Sequence, residues 1–108
     1  MHRLVRPLFM FRYYYIYVLQ SINKPSWIYV GYTENLKESV EEHNSGGSKS
    51  TTHFKPYTLI HYEAYRNMKD AKRRELYLKT TKGKTTLRTM LKEYFSKAAL
   101  AVNNLDYH

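Results

Sequence analysis

Tyr15-Ile16-Tyr17 and Tyr29-Val30-Gly31 are separated by eleven residues, Val18 to Ile28. Each tripeptide lies in an apolar, aromatic run, at about 12–20 and about 26–32, of the kind that forms β-strands. Between them Ser21-Ile22-Asn23-Lys24-Pro25-Ser26 supplies turn residues, and Pro25 fixes its own φ and has no N–H to give a ladder. Two strands so joined make a hairpin, which brings Tyr17 and Tyr29 together. Period-two alternation sends Tyr13, Tyr15, Tyr17 and Leu19 to one face, and Tyr14, Ile16 and Val18 to the other.

Downstream, Thr33 reads as an N-cap with Glu34 in the first turn of a helix over about 34–44. Asn44-Ser45-Gly46-Gly47 ends it, since glycine tolerates the left-handed conformation. Residues 45–56 read as a basic, polar loop, and Tyr57-Thr58-Leu59-Ile60-His61-Tyr62 begins a third strand over about 57–65. Asn67 and Asp70 form a capping-box-like start to a second helix, about 68–79. Lys82-Gly83-Lys84 reads as a turn into a third helix, about 85–97. At 108 residues this is one domain over 12–97, with an N-terminal extension (1–11) and a C-terminal tail (98–108).

Composition narrows the functional classes. No apolar run approaches the ~20 residues that span a bilayer, and the tyrosine-dense N-terminal stretch lacks a cleavage site for a leader. The absence of cysteine excludes disulfides and thiolate metal sites and suits a cytoplasmic location. Eighteen Lys and Arg against nine Asp and Glu give +9. Lys49 to Lys97 holds thirteen basic and four acidic residues, while 34–42 is acidic, with Glu34, Glu38, Glu41 and Glu42 against Lys37. A basic half of this kind suits a polyanion such as nucleic acid. Lys49, Lys55, Arg73, Arg74, Lys79, Lys82 and Lys84 are the candidate nucleic-acid contacts, against the plainer reading of a solvated surface.

At 100° per residue the first helix places Leu36, Val40 and His43 on one stripe, with Ser39 at its edge. The second places Ala71, Glu75 and Leu78 together. Both inward stripes thus carry an ionisable side chain. A carboxylate on such a face needs a cation, a metal or hydrogen-bond donors. Gly83-Lys84-Thr85 echoes a phosphate-binding loop, but Leu78 stands where its first glycine belongs and a helix precedes it, so that reading is set aside.

Taken in order, these segments resemble a GIY-YIG endonuclease domain of the small stand-alone bacterial kind, similar to the N-terminal nuclease domain found in bacterial excision repair. Tyr15-Ile16-Tyr17 matches the first motif with tyrosine for glycine, and Tyr29-Val30-Gly31 the second with valine for isoleucine. Tyr32-Thr33-Glu34-Asn35-Leu36, Glu42-His43-Asn44 and Lys72-Arg73-Arg74-Glu75 through Leu78-Lys79 continue the resemblance. It implies an α+β fold, a three-stranded antiparallel sheet flanked by about three helices. It also implies phosphodiester hydrolysis in DNA, branched or damaged, with one Mg²⁺ or Mn²⁺. By position, Tyr17 and Tyr29 match the catalytic tyrosines, His43 a proton-relaying histidine and Glu75 the metal-binding glutamate.

Ser39 stands where the family has a phosphate-contacting arginine. Serine donates one hydrogen bond but brings neither charge nor fork, and losing such a donor costs roughly 10²–10³ in rate by analogy with an oxyanion hole. The expectation is therefore a metal-dependent DNA endonuclease weakened at Ser39. The alternatives are a nucleic-acid-binding module that has lost the chemistry and a small basic protein-interaction domain.

Overall fold

The structure, a computed structural model, describes residues 12–96. The expected extension over 1–11 and tail over 98–108 lie outside the described residues. Strand β1 (Tyr14–Ser21) is the centre of a three-stranded sheet, flanked antiparallel by β2 (Ile28–Thr33) and β3 (Tyr57–Tyr65), in the order β2-β1-β3. The central position follows from composition. Residues Ile16 through Ser21 are all buried, which an apolar run tolerates and an alternating strand would not. The hairpin pairs Gln20 with Ile28 and Tyr17 with Gly31, so the two tyrosine motifs lie side by side as expected.

Register between β1 and β3 slips at one point. Val18 pairs with His61 but Leu19 pairs with Leu59, so Ile60 is an extra residue, a β-bulge. Because side chains alternate, this single residue reverses the facing of everything beyond it. Tyr57 and Leu59 face the same side as Leu19, but past the bulge Tyr62 and Ala64 take that side. His61, Glu63 and Tyr65 turn to the face of Ile16 and Val18.

On the first face, Tyr17, Leu19 and Tyr57 form a buried cluster with Tyr29, Leu36, Val40, Phe54 and Leu59 packed around it. Leu36 and Val40 are the inward stripe of α1 (Leu36–Ser45). The helix is capped by Asn35 rather than Thr33: Asn35 Oδ1 accepts from Glu38 N at 3.1 Å, and Thr33 Oγ1 instead accepts from Asn35 N at 3.0 Å. Glu34 consequently precedes the helix. Gly46, at φ 87°, ends it in the left-handed conformation. The expected loop over 45–56 contains a short helix, α2 (Lys49–Thr52), too brief to show a period.

On the second face, α3 (Met68–Lys79) begins where expected, with Asn67 Oδ1 accepting from Lys69 N. Its Ala71 is fully buried, and Arg74 forks both carboxylate oxygens of Glu63 on β3 at 2.9 and 3.2 Å.

The chain divides into two compact units, up to Glu75 and from Leu76 onward. Within the second, α4 (Thr81–Met90) starts four residues earlier than expected and ends earlier, with helix resuming as α5 over 92–96. Lys82-Gly83-Lys84 is helical, not a turn, because Thr80 caps α4 by accepting from Gly83 N. A Cβ on Gly83 would lie 1.9 Å from Tyr77 O, so glycine is there for close backbone approach. No helix among the described residues is long and apolar enough to cross a membrane.

Candidate active site

The hairpin positions the tyrosines. Tyr17 and Tyr29 share the face that α1 covers, with ring centroids 6.2 Å apart. Gly31, directly across from Tyr17, explains the last residue of the second motif. A Cβ there would lie 2.5 Å from both Cζ and Oη of Tyr17, inside any real contact distance. The hydroxyl end of the Tyr17 ring therefore lies over Gly31, and its hydroxyl reaches His43 on α1.

At the end of that reach stands His43, 4 % exposed, its ring 4.8 Å from that of Tyr29. Tyr17 Oη lies 2.7 Å from Nε2, and Nδ1 lies 2.6 Å from Thr51 Oγ1. The proton positions follow from donor bookkeeping. With the imidazole proton on Nδ1, Thr51 Oγ1 accepts it and turns its own hydroxyl toward Ser48 O, 3.4 Å away. Nε2 is then the acceptor for the Tyr17 hydroxyl. The chain of donors runs from Tyr17 to His43 and from His43 to Thr51.

Each member is held by a neighbour. Asn44 exchanges two hydrogen bonds with the backbone of Tyr57, Nδ2 to O at 3.1 Å and N to Oδ1 at 2.6 Å, fastening the end of α1 to β3. Tyr57 Oη donates to Thr51 O at 2.8 Å, which fixes α2. In the His43-Asn44 pair one residue thus presents the imidazole and the other secures the backbone beneath it.

Electrostatics set the resting protonation. Burial pushes the Tyr17 phenol well above its ordinary value of 10, and neighbouring Tyr29 and the carboxylates of Glu42 and Glu75 push it further. Burial lowers His43, with Glu42 partly opposing. Near neutral pH the phenol therefore keeps its proton and the imidazole is neutral, the state in which Nε2 can accept.

Glu75 is half-buried on α3, and its charge reaches Tyr17. Among the described residues no three His, Asp or Glu side chains converge on one point. A carboxylate oxygen is the donor that a hard divalent cation takes, beside the waters it keeps. Of the site's side chains, Glu75 is the one whose chemistry could hold such an ion.

Ser39 lies at the edge of this group and is not bonded to it. Its hydroxyl hydrogen-bonds Thr33 Oγ1 at the end of β2. Arg74 faces away from Tyr17, in its fork with Glu63, and Arg73 pairs with Asp70 on the exposed side of α3. Lys49 and Lys55 are exposed around α2, the latter near Gly46. Lys79, Lys82 and Lys84 belong to the second unit. Thr51 escaped the sequence reading altogether. It sits in a polar stretch with no periodicity, and its partner lies eight residues away on another element.

A family model described as the GIY-YIG catalytic domain matches residues 13–89, which include both tyrosine motifs, His43 and Glu75. Curated relatives agree. A UPF0213 protein of Pediococcus acidilactici is 40% identical over 78 residues, covering 69% of this chain and 78% of its own. A UPF0213 protein of Clostridium perfringens is 36% identical over 66 residues, 60% of this chain and 69% of that one. Another, of Staphylococcus haemolyticus, is 34% identical over 68 residues, 62% and 80% of the two chains. The chain belongs to the GIY-YIG domain family, a family of nucleases.

Proposed function

We propose that this protein is a divalent-metal-dependent DNA endonuclease whose attacking water is deprotonated through Tyr17 and His43. The observation that carries this reading is the 2.7 Å contact from Tyr17 Oη to a neutral Nε2 of His43, backed by Thr51. Phenol alone is a poor base at neutral pH, because the protonated form dominates and is further favoured here by burial. His43 removes that obstacle. As Tyr17 takes a proton from water, its own passes to Nε2; the resulting hydroxide attacks phosphorus and the bond to the leaving oxygen breaks. Tyr29, packed on both rings, keeps Tyr17 and His43 aligned and excludes bulk water from them. Glu75 would hold Mg²⁺ or Mn²⁺, whose chemistry is to neutralise phosphate charge and stabilise the leaving oxygen.

The reading is tested with nicked, branched and duplex DNA in Mg²⁺. Cleavage by the wild type, abolished in Glu75→Ala, supports it; activity no higher than in that variant overturns it. A second reading is favoured by one observation, the serine at position 39 with its hydroxyl engaged by Thr33. In that reading the fold binds nucleic acid without cutting it, and salt-sensitive DNA binding survives Glu75→Ala while no variant or metal gives cleavage.

A further inference from the structure

Beyond the tyrosine–histidine pair, the same sheet face carries a second group of rings. The bulge at Ile60 turns Tyr62 to the side of Tyr17, its direct partner across β1 and β3. Tyr62 is 52 % exposed, although the residue opposite it is buried. It meets Tyr15 edge-on, centroids 6.0 Å apart at 62°. Tyr13 continues the line at the strand's start, 37 % exposed, with the Arg66 guanidinium 5.4 Å from its ring centre.

Two of the three departures from the family motifs also meet here. Tyr15 replaces the glycine of the first motif, and its partner across β2 is Thr33, which is bonded to Ser39, the residue in place of the arginine. Where a phosphate-gripping cation is missing, an aromatic ring has been added one register pair away.

We propose that Tyr15 and Tyr62 form a stacking step for an unpaired nucleobase beside Tyr17, so that the substrate is DNA with an unpaired nucleotide at the cleavage point. The inference rests on the endonuclease reading in that Tyr17 marks where the strand is cut. Bases stacked inside a duplex have no free face to offer, whereas an unpaired base does, and aromatic side chains bind such faces without regard to sequence. The surrounding charge suits the same ligand. Arg66 borders the rings, and Arg12 makes a loose, exposed pair with Glu34 at 3.7 Å, which a phosphate can displace. Stacking then supplies positioning that the absent arginine does not.

The test is equilibrium binding in EDTA, so that no cleavage is needed, to a duplex bearing a short single-stranded flap and to a fully paired duplex of equal length. A 2-aminopurine in the flap reports stacking by quenching. The wild type should prefer the flap and quench the probe, and Tyr62→Phe should behave alike. Tyr62→Ala and Tyr62→Leu should lower the flap-to-duplex affinity ratio about tenfold and restore fluorescence. A wild-type ratio near one, or a Tyr62→Leu variant that keeps ratio and quenching, overturns the stacking step. Flap preference without Mg²⁺-dependent cleavage in a companion assay would sink the endonuclease reading and leave the stacking step standing.

Discussion

Thr51→Val isolates the relay with the least disturbance to the fold. Valine matches threonine in shape, so the buried Oγ1 is replaced by a methyl without a cavity. What is lost is the acceptor 2.6 Å from His43 Nδ1. A buried N–H without a partner costs about 1–3 kcal/mol, and His43 is 4 % exposed, so water offers little relief. The imidazole can shift that cost onto Tyr17 by moving its proton to Nε2 and donating to Oη, which takes from the phenol its histidine acceptor. Stability is therefore expected to fall by about 1–3 kcal/mol in urea unfolding, and long-range ¹H–¹⁵N correlation of the imidazole should show the Nε2–H form. Cleavage should fall further than stability accounts for, by as much as ~10⁴ by analogy with a serine protease whose histidine is held in the wrong tautomer. An Nδ1–H tautomer retained with stability within about 0.5 kcal/mol of wild type, a margin ordinary for substitutions touching nothing, would refute the assignment of Thr51 as the residue orienting His43.

Other expectations follow from single contacts. Gly31→Ala sets a methyl against the Tyr17 ring and should destabilise by about 1–3 kcal/mol, while lengthening the bond to His43, read as a loss of cleavage and a shifted imidazole signal. Glu63→Gln tests the opposite face. Burial raises the Glu63 carboxyl, but hydrogen bonds from Arg74, His61 and Tyr65 outweigh that and bring it from 4.5 to about 2. The folded-state value is depressed, so the stabilisation is present above pH 4.5 and is lost as pH falls toward 2. The shift corresponds to about 3 kcal/mol. Wild type and Glu63→Gln should thus differ by an amount of that order at pH 7 and converge between pH 4.5 and 2 in chemical unfolding; a gap independent of pH would refute it. Ser39→Arg should raise Mg²⁺-dependent cleavage roughly 10²-fold or more if the arginine is the only missing part, and no gain would place the deficit elsewhere.

What was legible in the chain depended on whether the signal was local. β3 and α3 lie where pattern and caps place them, since the run from Tyr57 to Tyr62 and the Asn67 start are properties of adjacent residues. The bulge at Ile60 is not written in any local pattern. Strict alternation would put His61, Glu63 and Tyr65 on the Tyr17 side, and only the pairing with β1 shows otherwise. Gly83 misled for a related reason. Its turn propensity is genuine, but it is retained for contact with Tyr77 inside a helix whose start is decided by Thr80. Of the site, Tyr17 and Tyr29 were reached by the hairpin and His43 by the helical stripe, with their roles taken from the resemblance, and the structure brings the three together. Arg74, read as a DNA contact from charge alone, faces a carboxylate that sequence distance concealed.

The most direct measurement of the central claim is the single-turnover cleavage rate in saturating Mg²⁺ as a function of pH, for wild type and His43→Gln. Burial lowers the His43 value below 6.5, so Nε2 is free to accept above that range and blocked as pH falls through it. The wild-type rate should rise to a plateau with an apparent pKa below 6.5. His43→Gln should lack that limb and run roughly 10²–10⁴-fold slower, the usual worth of a positioned base. Two profiles of the same shape, with rates within a few-fold of each other, would contradict a relay through Tyr17 and His43.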